Sequence, residues 1–205
     1  MPTTITMKAD TLLTLLQAHL VTASKDAREN LNGVCMSITS LYLTLASTDG
    51  HRLLESRCSE STECVGEMHD VIVPLGAVTA MVAQLKAAKK AKFATCDLSF
   101  DSPANKWSLA VGCNSASYEG TAREVQFPSY SKVIPPATRE PGVPTICHIG
   151  INAEYMQDLT RVFPARRGAT PVRMAWGGGL DPLRFDCETP SMCLTQVYVV
   201  MPMRI

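Results

Sequence analysis

One order of local patterns recurs three times along this chain of 205 residues: a short strand-like run feeds directly into a helical pattern, and β-patterned runs follow. The first copy opens on Thr4-Ile5-Thr6-Met7. A helix is predicted behind it over about Asp10 to Leu20, with Leu12, Leu13, Leu15, Leu16 and Leu20 at helical spacing. The second opens on Val71-Ile72-Val73-Pro74 and continues with Leu75, Val78, Val82 and Leu85 on one helical stripe. The third opens on Cys147-His148-Ile149-Gly150-Ile151, with Asn152 as the expected N-cap of a helix carrying Tyr155, Met156, Leu159 and Val162.

No second helix follows within any copy. Leu31–Ile38, Leu41–Ala46, Phe93–Phe100, Trp107–Val111 and Ser115–Arg123 alternate or carry β-formers, as do Val172–Trp176, Leu183–Cys187 and Gln196–Met201. Gly177-Gly178-Gly179 suits a hairpin turn, because a phosphate loop needs a helix start after it and none follows. The chain therefore reads as α+β, built from three β-α-β-β(-β) units. A linker holding four prolines, Pro135, Pro136, Pro141 and Pro144, separates two units in residues 1–134 from one in residues 145–205, with 135–144 between them. One unit alone leaves an open sheet edge and an uncovered face, so the third is expected to find a partner within the chain or in another subunit.

Charge and composition narrow the function. Nineteen basic and 19 acidic side chains give zero net charge, so any contact with nucleic acid must rest on locally placed cations. The 46% hydrophobic content excludes a disordered chain. No apolar run reaches the roughly 18–20 residues of a membrane span, and the Met1-Pro2-Thr3-Thr4 start lacks a signal-peptide pattern, so a cytoplasmic chain with no membrane role is expected. The eight cysteines, at positions 35, 58, 64, 96, 113, 147, 187 and 193, include no C-x-x-C pair. They read as small apolar side chains rather than as zinc ligands or disulfides, and no metal or other cofactor is expected.

Three separated stretches are distinctive together. The first runs from Lys25-Asp26-Ala27-Arg28-Glu29-Asn30-Leu31-Asn32-Gly33-Val34 to Ser47-Thr48-Asp49-Gly50-His51-Arg52-Leu53. The second is Phe127-Pro128-Ser129-Tyr130-Ser131-Lys132-Val133-Ile134-Pro135. The third is the C-terminal Tyr198-Val199-Val200-Met201-Pro202-Met203-Arg204-Ile205. In this order they resemble the bacterial sliding clamp, the beta subunit of DNA polymerase III. Residues 1–134 resemble its middle domain and residues 145–205 the second half of its last domain. Its first domain and the first half of its third have no counterpart. Ser129, Ser131-Lys132 and Ile205 depart from the family's acidic residue, basic pair and final leucine, which softens the charge and keeps the apolar character.

The resemblance implies a DNA-clamp fold, with helices on one face of antiparallel sheets, that closes into a ring around duplex DNA. It also implies a surface pocket that tethers a DNA polymerase, and possibly a clamp loader, through a short peptide. The matching pocket positions are Leu31, Thr48, Gly50, His51, Arg52, Leu53, Pro128, Lys132, Val133, Val199, Met201, Pro202, Met203 and Arg204. Their chemistry fits: Leu, Val, Pro and Met make an adaptable apolar slot, and His51, Arg52 and Arg204 a polar rim. Taken alone, Thr48-Asp49-Gly50 is an ordinary turn and Tyr198–Met201 a core strand. The three stretches in register favour the pocket.

Basic residues after each helix are the candidates for sequence-independent phosphate contact. They are Lys25 and Arg28, then Lys86, Lys89, Lys90 and Lys92, then Arg161, Arg166 and Arg167. Cations at helix C-termini are also favoured by the helix dipole. A family ring holds twelve such units, so four copies of three would complete one, and a homo-tetramer is expected. No catalytic residue is expected: Asp49 and His51 flank a glycine in one turn, and no nucleophile elbow or P-loop accompanies them. The alternative is a clamp-like protein that forms no ring and binds or inhibits a polymerase or clamp loader.

Overall fold

The computed structural model describes residues 2–23, 28–66, 68–120, 125–135, 149–164, 170–178 and 180–203. The first unit comprises β1 (Thr3–Lys8), α1 (Ala9–Thr22), β2 (Gly33–Ile38), β3 (Leu43–Thr48), β4 (Arg52–Cys58) and β5 (Ser61–Val65). The second comprises β6 (Met68–Pro74), α2 (Leu75–Lys90), β7 (Thr95–Asp101), β8 (Lys106–Val111) and β9 (Asn114–Glu119). The third holds α3 (Ala153–Gln157), α4 (Leu159–Val162), β10 (Arg173–Ala175), β11 (Leu183–Thr189) and β12 (Leu194–Val200).

Two antiparallel sheets result, of order β5-β1-β7-β8-β9 and β10-β11-β12-β4-β3-β2-β6. The opening strands of the first two units are exchanged. β1 pairs with β7 of the second unit, and β6 pairs with β2 of the first. Neither unit is therefore a separate module, because each needs the other's strand to close its sheet. α1 and α2 pack side by side and touch both sheets. They bury Leu12, Leu16, Val78, Met81 and Leu85 in one core with Ile5, Met36, Leu45, Leu98 and Trp107. Burying each such side chain fully is worth roughly 1.5–3 kcal/mol, so the helical stripe organises the whole layer.

The third unit finds its partner inside the chain. β12 pairs with β4 over Leu194↔Cys58 to Val200↔Arg52, extending the first unit's sheet to seven strands. The two faces of this ladder have different neighbours, as the period of two requires. Leu54, Tyr198 and Val200 point into a second core with Ala18 of α1, Val162, Phe163 and Phe185. Leu53, Val197 and Val199 point the other way, against Tyr130 and Ile134.

Several sequence expectations need correction. Leu31, expected to open a strand, ends a single 3-10 turn, Glu29–Leu31, and the strand starts at Gly33. Gly33 permits that start, since a Cβ there would strike the carbonyl oxygen of Val73 on the neighbouring β6. The expected third helix is divided at Asp158, whose side chain is drawn to arginines on two sides. Its N-cap is as expected, with the Asn152 side chain accepting from the Glu154 N–H at 2.9 Å. β4 and β5 have no counterpart among the predicted strands. The run Ser115–Arg123 is a strand only to Glu119, and residues 121–124 lie outside the described ones.

Buried polar groups also cross the seam between the first and third units. His19 of α1 lies between the hydroxyls of Ser47 (Nδ1, 2.8 Å) and Ser56 (Nε2, 3.0 Å). Ser56 in turn accepts from the Gln196 side-chain amide at 3.3 Å, and that amide donates to the Val162 carbonyl at 3.2 Å. These bonds explain how β4 tolerates polar residues in its middle: Ser56 is satisfied by the network, and Glu55 pairs with Arg57 at 3.1 Å.

Candidate functional site

A cavity of about 220 Å³ opens on the outer face of the β4–β12 ladder. Leu53 and Val199, direct partners in the ladder, form part of its wall. Pro128, Ser129, Tyr130 and Val133 close one side, supplied by the segment that carries the 3-10 turn Tyr130–Lys132. Arg28, Leu31, Thr48, Gly50, Arg52 and Met201 complete the wall. Three stretches far apart in sequence thus converge because β12 docks on β4 and residues 128–133 fold back over the joint.

The turn before β4 is held by its own polar groups. Asp49 accepts from the N–H groups of His51 and Arg52, both at 3.0 Å, and Thr48 Oγ1 accepts from the Gly50 N–H at 3.0 Å. Gly50 has φ +89°, and a Cβ there would lie 3.1 Å from the Arg28 guanidinium. Glycine therefore suits both the backbone and the approach of Arg28. Arg52 donates to Asp49 at 2.9 Å, pairs with Asp158 of the third unit and stacks on the Tyr155 ring at 4.8 Å. Met201 donates its N–H to the His51 carbonyl at 2.9 Å, tying the end of β12 to the same turn. Burial pushes the Tyr130 phenol well above its ordinary pKa, and neighbouring Glu55 adds to the rise, so the wall presents a neutral ring.

Of the fourteen positions expected in a pocket, Leu31, Thr48, Gly50, Arg52, Leu53, Pro128, Val133, Val199 and Met201 come together in this cavity. His51, Lys132, Pro202 and Met203 are outside its wall. His51 and Lys132 are exposed, and Met203 forms a lone bridge to Gly150. Arg204 lies outside the described residues. Ser129, Tyr130 and Arg28 line the cavity without having been expected there. The first two lie inside the F-P-S-Y stretch, so the motif itself carried that signal.

The basic candidates are spread more widely. Lys86, Lys89, Lys90 and Lys92 are exposed at and beyond the end of α2, where Lys89 meets Asp10 at 2.9 Å. Arg161 extends from α4 and pairs with Asp158 at 3.0 Å. Lys25, Arg166 and Arg167 lie outside the described residues.

An enzymatic centre gains no geometry here. His51 precedes β4 and Cys58 ends it, which separates them by about 20 Å along an extended strand. The thiols of Cys35 and Cys96 are pushed up to about 12 by burial and neighbouring aspartates, far from a reactive thiolate. Among the described residues no three metal-ligating side chains cluster, and no helix is long and apolar enough to cross a membrane.

Residues 6–104 match the central domain of the DNA polymerase III beta subunit. Over those residues the chain carries a domain of the DNA polymerase III beta subunit family. Its fold is that of a sliding clamp. Among solved structures, the DNA polymerase sliding clamp of Pseudomonas aeruginosa aligns with a TM-score of 0.78 at 17% identity, over 98% of this chain and 66% of that one. The DNA polymerase III beta subunit of Thermotoga maritima aligns with a TM-score of 0.78 at 17% identity, over 98% of this chain and 65% of that one. The beta subunit of Caulobacter crescentus gives a TM-score of 0.75 at 20% identity, over 98% of this chain and 66% of that one. At these identities the likeness is one of fold. The chain spans about two thirds of the length of those clamps. No curated protein matches it by sequence.

Proposed function

We propose that this chain is the subunit of a DNA sliding clamp, a non-catalytic processivity factor that encircles duplex DNA and holds a DNA polymerase by a short peptide. The observation that carries the reading is the cavity at the β4–β12 joint. Its lining combines Leu31, Leu53, Val133, Val199 and Met201 with the guanidinium of Arg52. An extended peptide with one or two large apolar anchors fits such a slot, with Arg52 beside a side-chain amide or backbone carbonyl. Lys86, Lys90 and Lys92, exposed at and beyond the end of α2, would meet phosphates without sequence preference, together with Lys25, Arg166 and Arg167, which lie outside the described residues. Residues 1–134 then act as a full clamp domain, and residues 145–205 as the half domain that completes the pocket.

Four copies of three units close the ring. Among the described residues β9 and β10 lie at sheet edges with no further strand beside them, and head-to-tail joining of such edges is how a heterologous contact closes. Multi-angle light scattering at micromolar concentration tests this. A mass of four chains of 22.2 kDa supports the ring, whereas a monodisperse monomer contradicts it. A monomer that still binds the peptide would instead be a clamp-like protein that captures a polymerase or loader off DNA.

A further inference from the structure

A second cavity, also about 220 Å³, adjoins the first and shares Pro128, Ser129 and Tyr130 with it. Its character is different. Asp70 is the one charged residue among its described lining, beside the hydroxyl of Ser131 and the ring of Phe127. The main cavity, by contrast, is bordered by two cations, Arg28 and Arg52. Resting on the peptide-pocket reading above, we propose that this side cavity is a subsite for a lysine or arginine side chain of the docked peptide, recognised by Asp70.

The carboxylate is held in place before any ligand arrives. Asp70 sits at φ +51°, a conformation aspartate tolerates better than most residues. Its N–H donates to Ser37 Oγ at 2.9 Å, and that hydroxyl donates back to Asp70 Oδ1 at 3.1 Å. Oδ1 is thus committed to the protein, while Oδ2 accepts from no described residue, and the side chain is exposed. A fixed acceptor loses little freedom on binding. Phe127 and Tyr130 pack edge to face, with centroids 5.9 Å apart, and offer an apolar wall for the aliphatic stem of the same side chain. Opposite charge in two cavities that share the Pro128–Tyr130 segment also gives the peptide a direction: acceptors toward Arg52, a cation toward Asp70.

The test walks one lysine along the serine flanks of a nonapeptide with a central Leu-Phe pair, measuring affinity for the full chain by fluorescence anisotropy. One register is expected to bind about fivefold tighter than the all-serine parent, a gain lost above about 0.5 M salt. In Asp70→Asn, which keeps the acceptor for Ser37, that gain falls below about twofold while parent affinity is unchanged. No favoured register, or a gain that survives in Asp70→Asn or in high salt, overturns the subsite alone. Failure of every peptide to bind overturns the pocket reading and the subsite with it.

Discussion

Arg52 at the head of β4 and Asp158 between α3 and α4 form an ion pair across the seam that joins the third unit to the first. Both side chains are largely buried, at 16% and 8% exposure. Arg52 also lines the cavity, so one guanidinium fixes the wall of the site and the placement of the third unit.

Removing that carboxylate is therefore expected to loosen the seam. Asp158→Asn leaves Arg52 to Asp49 and Tyr155 and deprives Arg161 of its partner. A loss of about 2–4 kcal/mol is expected in urea denaturation, because a partly buried charge then lacks one counter-ion. A change within about 0.5 kcal/mol would mean the pair is no more than a surface contact.

Val199 of β12 and Met201 just beyond it both line the cavity. Deleting Met201–Ile205 leaves β12 and its ladder in place but removes the Met201 side chain from the wall and its backbone bond to His51. Peptide affinity is expected to fall by more than about tenfold, with the thermal unfolding midpoint lowered only slightly. Undiminished affinity in the truncated chain would place the peptide elsewhere.

Gly33→Ala tests the close approach of β2 to β6. The added Cβ meets the Val73 carbonyl and lies 2.8 Å from Ile72 Cγ2, inside a ladder that cannot move without breaking its pairing. A destabilisation of about 1–3 kcal/mol is expected by chemical denaturation, against the gain that glycine to alanine brings where space allows.

Acid is expected to weaken the fold through His19. Burial lowers its pKa from the ordinary 6.5 to about 3. Above pH 6.5 the ring is neutral in both folded and unfolded chains and costs nothing. Below it the unfolded chain takes up a proton that the folded one refuses, so stability is lost progressively as pH falls toward 3. From pH 6.5 to 5 the expected loss is about 2 kcal/mol. His19→Gln, which cannot titrate, should flatten that slope in urea midpoints at pH 7 and 5. An identical slope would contradict the assignment.

Much of this was legible in the residues. Leu12, Leu16, Val78 and Leu85 announced both long helices through their spacing, since a helical period needs no knowledge of the partner. The exchange of β1 and β6 was not, because alternation in Thr4–Met7 or Val71–Pro74 says which side chains turn inward but not which strand lies alongside. β4 was hidden by its polar residues: the partners of Arg52 and Ser56 come from distant elements, and Glu55 and Arg57 pair with each other along the strand. The pocket was read through motif order rather than periodicity. Tyr130 and Arg28 entered it only once the fold of residues 128–133 and the turn at Gly50 were seen.

Retention on DNA tests the central claim most directly. The protein is assembled on a nicked circular duplex at moderate salt, freed of unbound protein by gel filtration, and assayed before and after linearisation. A sliding clamp stays with the circle and is lost once free ends exist, because topology rather than affinity holds it. Equal retention on circle and line, or none on either, would contradict the account.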